Sequence, residues 1–250
     1  MTTTSGNRLL TVATIVIALI LTAHAPAARA DIIYTPRDSY GQTIANGVKV
    51  YLSRACHNGS SSSNPCVSNF GCSGHVGENT WSAELSSHTL YEPDGQWGLV
   101  NRQYTVRIGT GKTQNNIASS NSWNSDVHLP LHSNASGSTS CGTPNSPDGT
   151  WGLYVSSSGR QMAEAWRDYF GSGSPGPNDK IVYRSNLGEL NQTSMPAGYL
   201  EVSFHTNRRG MEWMMDWEYY DWRVGYAVDK CAGYPRHAQG DTSSARCPWL

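Results

Sequence analysis

SDVHLPLHSNA, residues 125–135, is the stretch of this sequence that decides its fold. It combines a short apolar strand pattern with a turn-like ending, Ser133-Asn134-Ala135. His128 and His132 lie four residues apart, and therefore on the same face of the strand, because strand side chains alternate. An extended chain places them about 13 Å apart, which is too far for both to bind one metal ion. The stretch predicts a core strand with a buried, hydrogen-bonded His128, and with His132 facing a site at its end.

Strand-like and helix-like segments alternate along the rest of the chain. Runs rich in Val, Leu and Tyr predict strands, and apolar residues at helical spacing predict the helices between them. The predicted strands span 47–53, 102–109, 126–133, 151–158, 180–184 and 197–207. The predicted helices fall within 78–92, 111–125, 159–171 and 208–231. This alternation predicts a single α/β domain, with helices on both faces of a largely parallel, twisted sheet.

The first thirty residues have the features of a signal peptide. Arg8 precedes an apolar run, Leu9–Leu21, and Ala28-Arg29-Ala30 has the small-x-small pattern of a cleavage site. The run is too short for a stable membrane span, although an uncleaved membrane anchor is the alternative. We therefore expect a secreted protein with a mature domain spanning 31–250 and no stable membrane association after cleavage.

The charge of the mature chain argues against nucleic acid as a partner. The full sequence has 18 basic and 19 acidic residues. Loss of the signal peptide removes Arg8 and Arg29 and no acidic residue, leaving 16 basic against 19 acidic residues. Without a basic run, such a chain lacks the positive patch that binds phosphates. Nine Trp and thirteen Tyr against three Phe suit either an ordinary core or contacts with sugar rings.

All the cysteines lie in the mature part of the chain. They are Cys56, Cys66, Cys72, Cys141, Cys231 and Cys247. An even number in an exported protein predicts up to three disulfides, whose pairing the sequence leaves open. A structural zinc site is disfavoured because the first three lack the paired C-x2-C spacing. We expect a disulfide-stabilised domain whose irregular C-terminal tail is pinned by Cys231 and Cys247.

Four candidate site residues lie near predicted strand ends, where loops form the active sites of α/β sheets. His57 follows the first strand, Glu78 opens the next helix, His132 ends the third strand, and Glu201 lies in the last one. Two histidines and a carboxylate form a common catalytic zinc site, and a further glutamate can accept the proton of the attacking water. The ordinary alternatives are a solvated His57, a helix cap at Glu78 and a solvent-facing Glu201.

Two motifs resemble those of the zinc-dependent N-acetylmuramoyl-L-alanine amidases of type 3. That family carries a strand of the form D-hydrophobic-x-hydrophobic-x-hydrophobic-H-x-N-A, which 126–135 matches. It also carries t-x-P-a-x-x-x-E-v-x-F-x-x-N; Thr193–Ala197, with one residue more between the threonine and the proline, and Glu201–Asn207 match it. GTWGLYVSSSGRQMAEAW (149–166) is similar to the strand, serine turn and helix between them. The resemblance covers roughly Val48 to Val228, and the two motifs are fairly specific in this order.

The resemblance implies roles for particular residues. His132 and Glu78 would be zinc ligands, and Glu201 would be the catalytic base. The family's first ligand is a histidine within Gly-His-Gly-Gly after the first strand, and here the chain departs from the family. His57 lies instead in SRACHNG, and it is preferred over its competitor His75, which precedes Glu78 by three residues.

The resemblance implies a secreted zinc hydrolase that cuts the amide bond between N-acetylmuramic acid and L-alanine in peptidoglycan. We expect it to act as a monomer at the cell wall. One alternative is a zinc amide or peptide hydrolase with another substrate on the same scaffold. Another is a catalytically inactive module that binds glycan or protein, an idea prompted by the lost Gly-His-Gly-Gly setting; zinc content would distinguish it.

Overall fold

The computed structural model describes residues 31–56, 77–91, 98–136, 147–216, 220–232 and 247. The predicted signal peptide and the histidines His57 and His75 lie outside these ranges. The strands are β1 (Ile32–Tyr34), β2 (Lys49–Arg54), β3 (Thr105–Gly109), β4 (Val127–Asn134), β5 (Trp151–Tyr154), β6 (Lys180–Tyr183) and β7 (Tyr199–Phe204). The helices are α1 (Glu78–His88), α2 (Thr113–Trp123), α3 (Ser157–Trp166, continued by a π-helical turn, Arg167–Gly171), α4 (Gly188–Asn191), α5 (Arg208–Met215) and α6 (Trp222–Ala232). Within the described ranges, no helix is long and apolar enough to cross a membrane.

The strands form one sheet in the order β1-β3-β2-β4-β7-β5-β6. Its four central strands, β3, β2, β4 and β7, run parallel to one another. At one edge β1 pairs antiparallel with β3, and at the other the parallel pair β5 and β6 joins β7 in antiparallel fashion. The predicted α/β fold with a largely parallel sheet is confirmed, with an antiparallel junction on each side of the centre.

The larger core lies between one face of the sheet and helices α1, α3, α5 and α6. Alternate residues of the central strands point into it, and Trp81 and Trp166 are its largest fully buried side chains. The indole Nε1 of Trp81 donates to the carbonyl of Met214 at 2.9 Å and to Tyr220 OH at 2.8 Å. A buried indole N–H is costly without such acceptors, so these bonds fix α1 against α5.

The opposite face carries α2, α4 and a smaller apolar cluster, so helices cover both faces as predicted. That cluster consists of Leu153, Leu190, Ala197 and Tyr199. Polar side chains from β2 and β4, including Ser53, His128 and His132, are buried on the same face. Burial of polar groups at the sheet centre requires partners, and these partners form the candidate site.

Two predicted boundaries are wrong. The strand predicted over 151–158 ends at Tyr154, because Ser156 caps helix α3 by accepting a hydrogen bond from Gly159 N at 3.0 Å. The helical region predicted over 208–231 is divided between α5, which ends at Met215, and α6, which begins at Trp222. The short elements β1 and α4 were not predicted, since three or four residues are too few to show a period.

A disulfide joins Cys231, at the end of α6, to Cys247. Both cysteines are fully buried, and Cys247 N donates to the carbonyl of Cys231 at 2.7 Å. This confirms the predicted disulfide stabilisation and ties the tail to the main core at Cys247. Cys56 is also disulfide-bonded, and the described part of the chain contains no free cysteine. Cys66, Cys72 and Cys141 lie outside that part.

A buried ion pair ties the segment before β3 to α6. Arg102 and Asp229 form a salt bridge, and their side chains are only 2% and 8% exposed. Tyr104 OH donates to Asp229 Oδ1 at 2.8 Å. The carboxylate of Asp229 therefore offsets the buried charge of Arg102, while the tyrosine adds a single hydrogen bond.

We expect Asp229→Ala to destabilise the protein by about 3 kcal/mol, because Arg102 then becomes an uncompensated buried charge. Tyr104→Phe removes only the hydrogen bond and should cost about 1 kcal/mol. Urea unfolding followed by tryptophan fluorescence measures both losses. A loss for Asp229→Ala no larger than that for Tyr104→Phe would contradict this account of the pair.

Candidate metal centre and active site

The candidate site lies where the central parallel strands end. Strands β2, β4 and β7 run in the same direction, so their carboxyl ends meet at one edge of the sheet. His132 of β4 is paired in register with Glu201 of β7. Register neighbours on adjacent strands point to the same face, which places these two side chains next to each other.

Glu78, the first residue of α1, is brought to His132 by contacts of its own helix. Ser82 Oγ donates to the carbonyl of Leu131 at 2.7 Å and accepts from Ala55 N at 2.9 Å, which fixes the start of α1 over the ends of β2 and β4. Glu78 Oε1 accepts from Ser133 N at 2.7 Å and lies 3.4 Å from His132 Nδ1. The side chain thus reaches across to β4, while Gly77 occupies the N-cap position of α1.

His132 lies between two carboxylates and is almost completely buried. Its Nδ1 faces Glu78, and its Nε2 lies 3.3 Å from Glu189 Oε2. Its ring stacks on Tyr199 with 4.5 Å between centroids. Burial lowers the pKa of His132, but hydrogen bonding to Glu189 and Glu78 outweighs burial and raises the pKa to about 10. Without a metal ion, the two facing carboxylates therefore favour the protonated imidazole.

Glu189 is a site residue that the sequence analysis missed. It lies on the four-residue helix α4, is buried, and accepts a hydrogen bond from Ser53 Oγ. Its Oε1 also lies 3.3 Å from His128 Nε2. Burial raises the pKa of Glu189, but hydrogen bonds to His128 and His132 outweigh burial and lower the pKa to about 2. No motif marks this glutamate in SNLGELNQ; only its apolar neighbours Leu187 and Leu190 hinted at burial.

Glu201 is partly buried in the middle of the sheet, between β4 and β5, and so is not on an edge strand. Its Oε2 is buried without a hydrogen-bond partner among the described residues. Burial raises the pKa of Glu201 to about 8, with His132 opposing and Glu78 adding to the effect. A carboxyl group with a pKa near neutrality can both accept and return a proton under physiological conditions.

The other histidines have different surroundings. His128 is fully buried; its Nε2 contacts Glu189 and its ring stacks on Tyr51 at 5.2 Å. It is therefore the buried, hydrogen-bonded histidine that the strand pattern predicted. His205 lies close to the site, where its Nδ1 is 2.9 Å from Ser133 Oγ.

Two of the predicted zinc ligands, Glu78 and His132, lie together, and their geometry fits a metal ion. Glu78 Oε1 and His132 Nδ1 are 3.4 Å apart. Two ligands that each lie about 2.1 Å from a tetrahedral zinc ion have about this separation. Among the described residues no group of three His, Cys, Asp or Glu side chains could hold a metal. The third predicted ligand, His57, follows Cys56 in the chain and lies outside those residues.

Among known proteins, matches to this chain were found in the solved structures. No protein-family model matches the sequence, and no curated protein matches it either. The catalytic domain of CwlV, an N-acetylmuramoyl-L-alanine amidase from Bacillus (Paenibacillus) polymyxa var. colistinus, is similar with a TM-score of 0.56 and 19% identity. The match covers 78% of this chain and 99% of that domain.

Two further solved structures are similar over comparable lengths. The N-acetylmuramyl-L-alanine amidase Ami1 from Mycobacterium smegmatis has a TM-score of 0.58 and 16% identity, with 75% of this chain and 97% of Ami1 covered. The CwlD amidase from Clostridioides difficile, solved in complex with the GerS lipoprotein, has a TM-score of 0.51 and 12% identity, with 78% and 100% covered. This chain thus has the α/β fold of N-acetylmuramoyl-L-alanine amidase catalytic domains.

Proposed function

We propose that this chain is a secreted zinc hydrolase acting at the cell wall. It would cleave the amide bond between the lactyl group of N-acetylmuramic acid and L-alanine in peptidoglycan. The observation that carries the proposal is the convergence of Glu78, His132 and Glu201 at one edge of a sheet with an amidase fold. We propose a monomer, although the similar CwlD amidase was solved with a lipoprotein partner.

Glu78 and His132 would hold the zinc ion together with His57. When bound, zinc supplies a Lewis acid that polarises the substrate carbonyl and lowers the pKa of water. Contacts within the protein hold the side chains of Glu78 and His132 in position without an ion. Ser133 N holds Glu78 Oε1 at 2.7 Å, and stacking on Tyr199 restrains the ring of His132.

Glu201 would act as the general base and then as the general acid. Its carboxylate accepts a proton from the water whose oxygen bonds to the lactyl carbonyl carbon. It returns that proton to the alanine nitrogen as the carbon–nitrogen bond breaks, so the leaving group departs as an amine. In the metal-free site, burial and the charge of Glu78 raise the pKa of Glu201, which favours the protonated form that would donate to the amine.

The surroundings of Glu201 offer contacts for a glycopeptide. Trp151 of β5 is its register neighbour on the other side from His132. Lys180 Nζ lies 3.8 Å from the centroid of the Trp151 ring, and the charge of Arg184 is close enough to act on Glu201. We propose that the indole packs against a sugar ring and that Arg184 attracts a carboxylate of the stem peptide.

The direct test incubates the mature protein, residues 31–250 with disulfides formed, with purified peptidoglycan. Soluble products are identified by mass spectrometry, with and without a chelator. We expect free stem peptides that begin with L-alanine, intact glycan strands, and loss of products on chelation that added zinc reverses. Peptides cut at an internal bond would indicate a zinc hydrolase of the same fold that cleaves a different bond. No products together with less than stoichiometric zinc would indicate an inactive binding module.

We expect Glu201→Gln to reduce kcat/KM on muropeptides by about 100-fold or more, because an amide cannot accept the proton of the attacking water. Zinc content should be unchanged, as measured by elemental analysis. Glu212→Gln, which changes an exposed glutamate on α5, is the matched control and should retain full activity. An active Glu201→Gln variant would remove Glu201 from the mechanism.

The raised pKa of Glu201 also predicts a pH-dependent difference in stability. Its folded pKa is about 8 against a usual value of 4.5, so folding of the metal-free protein is penalised increasingly as the pH rises between these values. At pH 9, metal-free Glu201→Gln should be more stable than the metal-free native sequence by up to about 5 kcal/mol, because glutamine does not ionise. Below pH 4.5 this advantage should vanish. Urea unfolding in chelator measures it, and an advantage that is constant with pH would contradict the prediction.

A further inference from the structure

Glu189 occupies the side of His132 that faces away from Glu78. Its Oε2 lies 3.3 Å from His132 Nε2, while Glu78 Oε1 lies 3.4 Å from Nδ1. The two nitrogens of one imidazole ring therefore face two different carboxylates. An imidazole can bind a metal ion through only one nitrogen, and the partner of the other nitrogen decides which one is free to bind.

The donors around Glu189 make it a poor metal ligand. Ser53 Oγ donates to Oε1, and His128 Nε2 lies 3.3 Å from the same oxygen. Oε2 faces His132. Both oxygens of Glu189 thus face groups of the protein, and Oε1 faces two of them. Glu78, by contrast, lies at the edge of the sheet where the strands end, so the metal side of His132 is the Nδ1 side.

We propose that Glu189 is a positioning residue that accepts the Nε2–H of His132 and so presents Nδ1 to the zinc ion. This inference rests on the proposed zinc hydrolase function. Histidine ligands commonly donate their second nitrogen to a carboxylate, which fixes both the tautomer and the ring orientation. Here the carboxylate belongs to α4, whereas His132 lies on β4 and Glu201 on β7.

A chain of buried hydrogen bonds holds Glu189 itself in place. Asn116 Nδ2, from α2, donates to Ser53 Oγ at 2.9 Å, and Ser53 Oγ donates to Glu189. His128 contacts Glu189 from the amino-terminal half of β4. The two histidines of β4, although too far apart to share a metal ion, thus share a single carboxylate. Under this proposal His128 acts on His132 through Glu189.

The first measurement needs no variant. Long-range ¹H–¹⁵N correlation spectra of the zinc-loaded native chain report which imidazole nitrogen of His132 carries a proton. We expect zinc on Nδ1 and a hydrogen-bonded proton, shifted downfield, on Nε2. Zinc on Nε2 would overturn the inference, because Glu189 would then have no proton of His132 to accept.

The second measurement titrates metal-free protein with zinc against a chromophoric chelator, and with cobalt by its visible absorption. We expect Glu189→Gln to weaken zinc binding by about 10- to 100-fold and to alter the cobalt spectrum, because the ring loses its fixed orientation. Asp229→Asn is the matched control: it neutralises another buried carboxylate outside the site and should leave zinc affinity and the cobalt spectrum unchanged.

The outcomes separate the inference from the proposed function. A native chain that binds zinc and releases stem peptides, with Glu189→Gln equal to it in affinity and cobalt spectrum, would overturn the inference alone. A native chain that binds no zinc would overturn both. Equal weakening in Glu189→Gln and Asp229→Asn would show that loss of stability is the cause, and this too would overturn the inference.

Discussion

The site depends on the burial of one imidazole between two carboxylates. His132 is almost completely covered, so neither of its nitrogens can rely on bulk water, and both need a partner from the protein or an ion. Glu78 and Glu189 supply those partners from opposite sides. Glu78 lies on α1 and Glu189 on α4, two helices on opposite faces of the sheet. The imidazole, near the carboxyl end of β4, therefore connects the two helical layers.

The parallel register of β4 and β7 brings Glu201 into this arrangement. Pairing of His132 with Glu201 sets a metal-capable side chain beside a carboxylate with an elevated pKa. The register shifts just beyond this pair, between His132 and Asn134, so the regular ladder ends where the site begins. Such irregularities at strand ends re-aim side chains, and here Ser133 N is directed to Glu78 and Ser133 Oγ to His205.

The parts of the fold and site that depend on a local sequence pattern could be predicted. The apolar alternation around His132 is enough to place β4, and the contrast between His128 and His132 follows from strand periodicity alone. The end of β5 was misjudged because three consecutive serines fit a strand edge as well as a helix cap, and only the contact of Ser156 with Gly159 N decides between them. Glu189 could not be found at all, since it lies 61 residues from His128 and meets it only after α4 has packed on the sheet.

The candidate site is rich in buried acidic groups. Three carboxylates, Glu78, Glu189 and Glu201, surround a single imidazole, and buried carboxylates destabilise a fold unless donors or cations offset them. Glu189 is offset by Ser53 and by the two histidines, whereas one oxygen of Glu201 is buried without a hydrogen-bond partner among the described residues. On the Nδ1 side of His132, Glu78 supplies the facing carboxylate. Under the proposed function a divalent ion binds there, so metal binding and the stability of this sheet edge are linked, and the chemistry of the site and the folding of its surroundings draw on the same cation.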